Sequence, residues 1–274
     1  MKKSIVLAGC FYLLACGIAD APLSFAQTAA DQQAILGQAR QAYYSLHREG
    51  LLSFQCALTP NWETVLQDVR KQNPAGADNA IKILSQLHFM VNLGADGGAK
   101  ITHNDLSGQS KEMMDALAQV YGGMQQMTSG FFDTWSFYML YSPLPKLKST
   151  YQLHVIGSQY QLAYRDGDAD VVTTMGKDFA ISDLKTTTQK FDSVIQPRFA
   201  GTPEGFVLNA YHATYQSQKP EEATQLEVLI RYQQVEGLQL PQTVDLSGTY
   251  GATNFVSQLA FSNCQVTRRT SSLK

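Results

Sequence analysis

The residues able to do chemistry are few and dispersed. The five histidines, His47, His88, His103, His154 and His212, stand far apart, and none pairs with another histidine or a carboxylate at helical metal-ligand spacing. No GxSxG elbow, P-loop or CxxC occurs, so no activated serine, phosphate cradle or redox dithiol is written locally. Asp166, Asp168 and Asp170 form a DxDxD run that suggests calcium, but Val171 and Lys177 stand where that loop needs a glycine and a glutamate. Asp166-Gly167 instead suits the left-handed backbone of a hairpin turn. The expectation is a non-enzymatic protein with no metal and no cofactor.

The residues with a more specific potential are apolar. Met113, Leu117, Val120, Met124, Met127 and Phe131 recur in steps of three and four, so on a helix they form one stripe, which Trp135 continues. Unbranched, polarizable methionines suit surfaces that accept variable apolar shapes. This stripe, with the aromatics up to Tyr138, could line a cavity for acyl chains or close over one. The bland alternative is a helix face that simply fills a core.

The elements that would position these groups change character midway. Ile35, Ala39, Ala42 and Leu46 predict a first helix with Gly50 as its C-cap. Leu52 to Leu58 alternate as a strand stopped by Pro60, Asn61 caps a short helix, and a further helix carries Ala80, Ile83, Leu84 and Leu87. Phe89 to Asn104 reads as a hairpin turning at Asp96-Gly97-Gly98. The stripe then runs over 111–140, where Gly122-Gly123 should weaken or bend the helix by ~1 kcal/mol per glycine. From Tyr151 to Val266 the period becomes two, with strands separated by short Gly, Pro or Asp links. Consecutive strands joined this way imply an antiparallel meander, and a sheet of that size must twist and curl. The predicted class is α+β: a curled antiparallel sheet, or unclosed barrel, with helices on its concave side. Residues 27–274 form one domain in this reading, mainly helical over 27–150 and a meander over 151–267.

Residues 1–26 carry an address. Lys2 and Lys3 precede an apolar run from Ile5 to Ile18, and Ser24-Phe25-Ala26 offers small residues for cleavage, the layout of a secretory signal peptide. The mature chain would begin at Gln27, in the periplasm or outside a bacterial cell. Leu13-Leu14-Ala15-Cys16 resembles a lipobox, so the open alternative is a lipoprotein anchored to a membrane at Cys16. Loss of Lys2, Lys3 and Asp20 leaves 19 basic and 22 acidic residues, a net charge of about −3. With no basic tract, nucleic acid is excluded as a partner. Cys56 and Cys264 remain, and an oxidising compartment makes a disulfide between them plausible. Strict alternation puts Cys56 with Phe54 and Leu58 but Cys264 on the face opposite Leu259 and Phe261. Two free thiols therefore stay as the alternative.

Val235-Glu236-Gly237-Leu238-Gln239-Leu240-Pro241 after a strand, and the opening helix leading into Leu52-Ser53-Phe54-Gln55, carry a likeness. Over 35–60 and 151–266 the chain resembles the bacterial outer-membrane lipoprotein carrier and lipoprotein-sorting family, with extra length in 61–140. The resemblance implies an unclosed β-barrel whose helices cover an apolar cavity for acyl chains. The expected partner is then a lipid or an acylated protein. The rival expectation is an envelope interaction protein with a solid core that docks a protein partner.

Overall fold

The structure, a computed structural model, describes residues 28–108, 110–219 and 223–269. The signal-peptide reading of 1–26 and the lipidation alternative at Cys16 lie outside the described residues. Helices α1 (Ala29–Gln41), α2 (Trp62–Val65), α3 (Gln67–Gln72), α4 (Pro74–Leu84) and α5 (Lys111–Met139) accompany twelve strands. The first three strands are β1 (Leu51–Pro60), β2 (Phe89–Leu93) and β3 (Ala99–His103). Then follow β4 (Tyr151–Ile156), β5 (Gln159–Asp166), β6 (Ala169–Gly176), β7 (Ile181–Thr187) and β8 (Phe191–Thr202). The longest come last: β9 (Gly205–Ser217), β10 (Thr224–Val235), β11 (Leu238–Tyr250) and β12 (Thr253–Arg268).

All twelve belong to one antiparallel sheet ordered β3-β2-β1-β12-β11-β10-β9-β8-β7-β6-β5-β4. From β5 onward each strand pairs with its predecessor, as two-residue-period segments with short turns must. β1 closes the meander by pairing with β12 and carries the β2–β3 hairpin beyond it. β3 and β4 are the two ends of the sheet and do not pair, so the barrel is not closed. Bulges next to Pro197, between Arg198 and Phe199, and opposite Pro241, between Arg231 and Tyr232, bend the long strands. A proline cannot donate to the ladder and is accommodated where pairing is already interrupted.

Some local readings shift. The first helix runs Ala29–Gln41 instead of reaching Leu46, because Tyr43 leaves the helix to bridge Phe206 at the start of β9. A capping box between Thr28 and Asp31 starts it. Gly50 is left-handed at φ 89°, but in the turn that enters β1. The helix after Asn61 is broken at Leu66 into α2 and α3. Phe179, expected in a strand, takes φ 69° in the turn before β7, and its carbonyl accepts the Tyr43 hydroxyl at 2.6 Å.

Tyr43 and Tyr44 staple the helical entry to the sheet. The Tyr43 oxygen also accepts the Ile181 N–H at 2.9 Å, and Tyr44 Oη accepts that of Gln239 at 3.1 Å. Phe206 N–H donates to Ala42 O at 2.8 Å, drawing residues 42–44 against the start of β9. A Cβ on Gly205 would lie 2.7 Å from Ala42 O and 2.8 Å from the Tyr44 nitrogen, at φ 122°. Gly205→Ala should therefore cost at least about 1–3 kcal/mol from backbone strain alone. Urea unfolding checks it; a change within about 0.5 kcal/mol, the level of a neutral surface substitution, would refute the tight approach.

The Cys56–Cys264 disulfide forms across β1 and β12, with Cα atoms 4.1 Å apart. The mismatch of faces is removed by a bulge. Gln55 pairs with Gln265 but Ala57 pairs with Ser262, so Asn263, at φ 51°, is part of an inserted kink. One extra residue shifts the alternation by one, turning Cys264 to the side of Leu259 and Phe261. Among the described residues no helix is long and apolar enough to cross a membrane.

Candidate functional site: the α5 face of the sheet

Ser110 caps α5 by accepting the Met113 N–H at 3.3 Å, and the helix then runs unbroken to Met139. Gly122 and Gly123 are exposed, with open space where a Cβ would sit, so they interrupt neither the helix nor its buried stripe. The predicted stripe does lie on one face. Leu117, Met124, Phe131 and Trp135 are buried in the core, while Met113, Val120 and Met127 are half-buried against it.

The two halves of α5 are embedded differently. From Phe131 to Leu140 nearly every side chain is buried, whichever way it points. Phe132 and Trp135 meet edge to face at 5.6 Å, and Phe54 of β1 and Phe261 of β12 complete the cluster. The indole Nε1–H of Trp135 donates to Tyr232 Oη at 3.0 Å, and Tyr232 donates onward to Leu208 O. This half fills the concave face. The half before it buries a single stripe and turns its other sides to solvent. It rests on the edge strand β3 by a few contacts. Tyr121 stacks on His103 at 3.5 Å, and Gln125 Oε1 accepts the Ile101 N–H at 3.2 Å. That last contact occupies an edge donor that would otherwise be free.

Beside the aromatic filling lies a group of buried phenols that the strand alternation presented without assigning to a face. Burial pushes the hydroxyls of Tyr138, Tyr211 and Tyr232 above the usual tyrosine range and that of Tyr164 up to about 12. The cause is desolvation, which penalises the phenolate. These groups are therefore neutral donors at physiological pH. The hydroxyl of Tyr138 has no hydrogen-bond partner among the described residues, although it is shut off from solvent, and that of Tyr211 interacts with Thr134. The interior thus combines an apolar lining with an unpaired phenolic donor at Tyr138.

The remaining candidates fall elsewhere. The Asp166-Gly167-Asp168 segment is the β5–β6 hairpin turn, with Gly167 at φ 61°. His212 Nδ1 lies 2.8 Å from Glu227 Oε1 on the opposite face of the sheet, a His–carboxylate pair that cross-strand register creates and sequence spacing hides. Glu227 borders a depression of about 400 Å³ with Arg198, Asp245 and Leu229. On the other flank of His212 the register partner is Gln196. Among the described residues no group of three or more His, Cys, Asp or Glu side chains could hold a metal ion.

The fold and this face together define a class: an open, curled antiparallel sheet whose concave side is occupied by one amphipathic helix. Comparison with protein families, with curated proteins and with solved structures returned no match.

Proposed function

We propose that the chain is an exported, non-enzymatic protein that binds an acyl chain or lipid between the sheet and the N-terminal half of α5. The observation that carries this reading is the asymmetry of α5. Its second half is locked in the core, whereas its first half covers the open side with one apolar stripe and two lateral contacts. Sliding an acyl chain under Met113, Val120, Met124 and Met127 would exchange one apolar contact for another. Each buried methylene is worth about 0.8 kcal/mol, so a partly covered chain is already held usefully. The carrier-family resemblance points the same way, and a Cys56–Cys264 bridge is compatible with an oxidising envelope compartment.

Protein exported with its native leader should yield co-extracted lipid in organic solvent, and the emptied protein should rebind a fluorescent fatty acid. Met113→Asp with Met127→Asp, both half-buried, should reduce rebinding at least tenfold while the far-ultraviolet dichroism stays that of the parent. Rebinding equal to the parent would refute this placement of the ligand.

A second reading rests on the other end of the sheet. The six-residue β4 pairs only with β5 and leaves Val155 46% and Ile156 55% exposed. Such an edge can accept a strand from a protein partner. That reading expects no extracted lipid and no fatty-acid binding.

A further inference from the structure

A second depression, of about 460 Å³, opens where α1, the 45–48 turn, the segment following α5 and the end of β12 meet. Arg40, Arg48, Arg269 and His47 line it together with Tyr141 and Ser142, and no carboxylate is among its lining residues. We propose that this depression binds a phosphate-bearing ligand. The site stands apart from the acyl-binding reading and needs none of its residues.

Arg40 is the centre of the case. Its Nη1 donates to the carbonyls of Leu144 and, at 2.7 Å, Pro145, which fixes the guanidinium without neutralising it. Among the described residues no carboxylate lies within ion-pair distance of Arg40 or Arg269. Partial burial lowers the pKa of Arg40, because desolvation penalises the charged form. Arg269 Nη2 lies 2.7 and 3.2 Å from the two ring nitrogens of His47, which places it over the imidazole in the wall of the depression. Arg48 is the most committed: it donates to Tyr43 O and Glu204 O and lies 3.8 Å from Glu49.

The neighbouring acceptors are already occupied. The Met139 and Leu140 carbonyls at the end of α5 take the N–H groups of Leu46 and His47, and Ser45 Oγ also donates to Leu140 O. The arginines are therefore not held there to cap the helix. Ser142 Oγ, in the wall, has no hydrogen-bond partner among the described residues. Planar guanidinium forks, a hydroxyl and an imidazole supply more donors than the two oxygens of a carboxylate absorb, and match the oxygens of a phosphate group. The volume exceeds that of a bare phosphate and leaves room for an attached organic group.

Calorimetry and amide shifts with inorganic phosphate, and sedimentation with phosphatidylcholine vesicles containing phosphatidic acid, test the site and separate its sources. Saturable phosphate binding that shifts the amides of residues 40, 47, 48, 141 and 142 supports a soluble ligand. Vesicle binding that inorganic phosphate competes away supports a lipid headgroup. Arg269→Gln, an exposed position, and Arg40→Gln should each weaken binding at least tenfold, while Lys82→Gln on α4 leaves it unchanged. Arg269→Gln keeps the test decisive if Arg40→Gln fails to fold. Absence of binding to either probe, or an equal loss with Lys82→Gln, overturns the assignment.

Discussion

Replacing Trp135 by Ala is expected to lower the unfolding free energy by about 3–5 kcal/mol, the largest loss from any single side chain of α5. Three effects act together. The indole is fully buried, so its removal empties a large volume that cannot collapse between two rigid elements. It forfeits ring contacts to Phe54 at 6.1 Å and Phe132 at 5.6 Å. It also breaks the relay from Nε1–H through Tyr232 to Leu208 O. Tyr232→Phe isolates the last effect: it leaves the ring packing intact but the buried indole N–H without a partner, at a cost of about 1–3 kcal/mol. Urea unfolding of both variants should give Trp135→Ala the larger loss. Equal losses would mean that the hydrogen-bond relay, not the filling of the concave face, anchors this half of α5.

Removing the disulfide should cost about 2–5 kcal/mol, whether by reduction or as the double variant Cys56→Ala, Cys264→Ala. The bridge joins residues 208 apart in sequence, so cutting it restores a long, previously closed loop to the unfolded ensemble. It also ties β1 to β12, the one pairing that brings the N-terminal strands onto the meander. The meander itself is built from neighbouring strands and should survive. Reduction is therefore expected to expose β1, β2 and β3 to hydrogen exchange before β8 to β11. Uniform loss of protection over all strands would show that the sheet opens as one unit, and an unchanged midpoint in denaturant would show that β1–β12 pairing needs no covalent support.

Both predictions concern the seam between what was legible in the chain and what was not. The strand sequence of the meander could be read directly, since Leu226, Val228 and Ile230 alternate with Gln225, Glu227 and Arg231, broken only by Leu229, and short turns admit only antiparallel partners. The β2–β3 hairpin and the span of α5 were equally local, each written in a period or a turn. The partner of β1 was hinted at only by the pairing open to Cys56 and Cys264, because nothing else in residues 51–60 names β12 as its neighbour so far along the chain. Nor was the face of Cys264, because a bulge is one residue of slippage and leaves no mark on composition. The candidate sites divide similarly. The Met and aromatic stripe was visible as a spacing, but its two unlike halves depend on what packs around each. The Arg40 depression and the His212–Glu227 pair had no sequence signal at all, being drawn from segments that only the folded chain brings together.

Local periodicity, turn residues and helix caps thus determined the elements of this protein and the apolar face of its longest helix, because those preferences act within a few residues. Strand partners, the phase change at Asn263, the buried phenols and the basic depression were decided by tertiary structure. They follow from burying one continuous core under conformational and steric constraints that couple residues far apart in the chain.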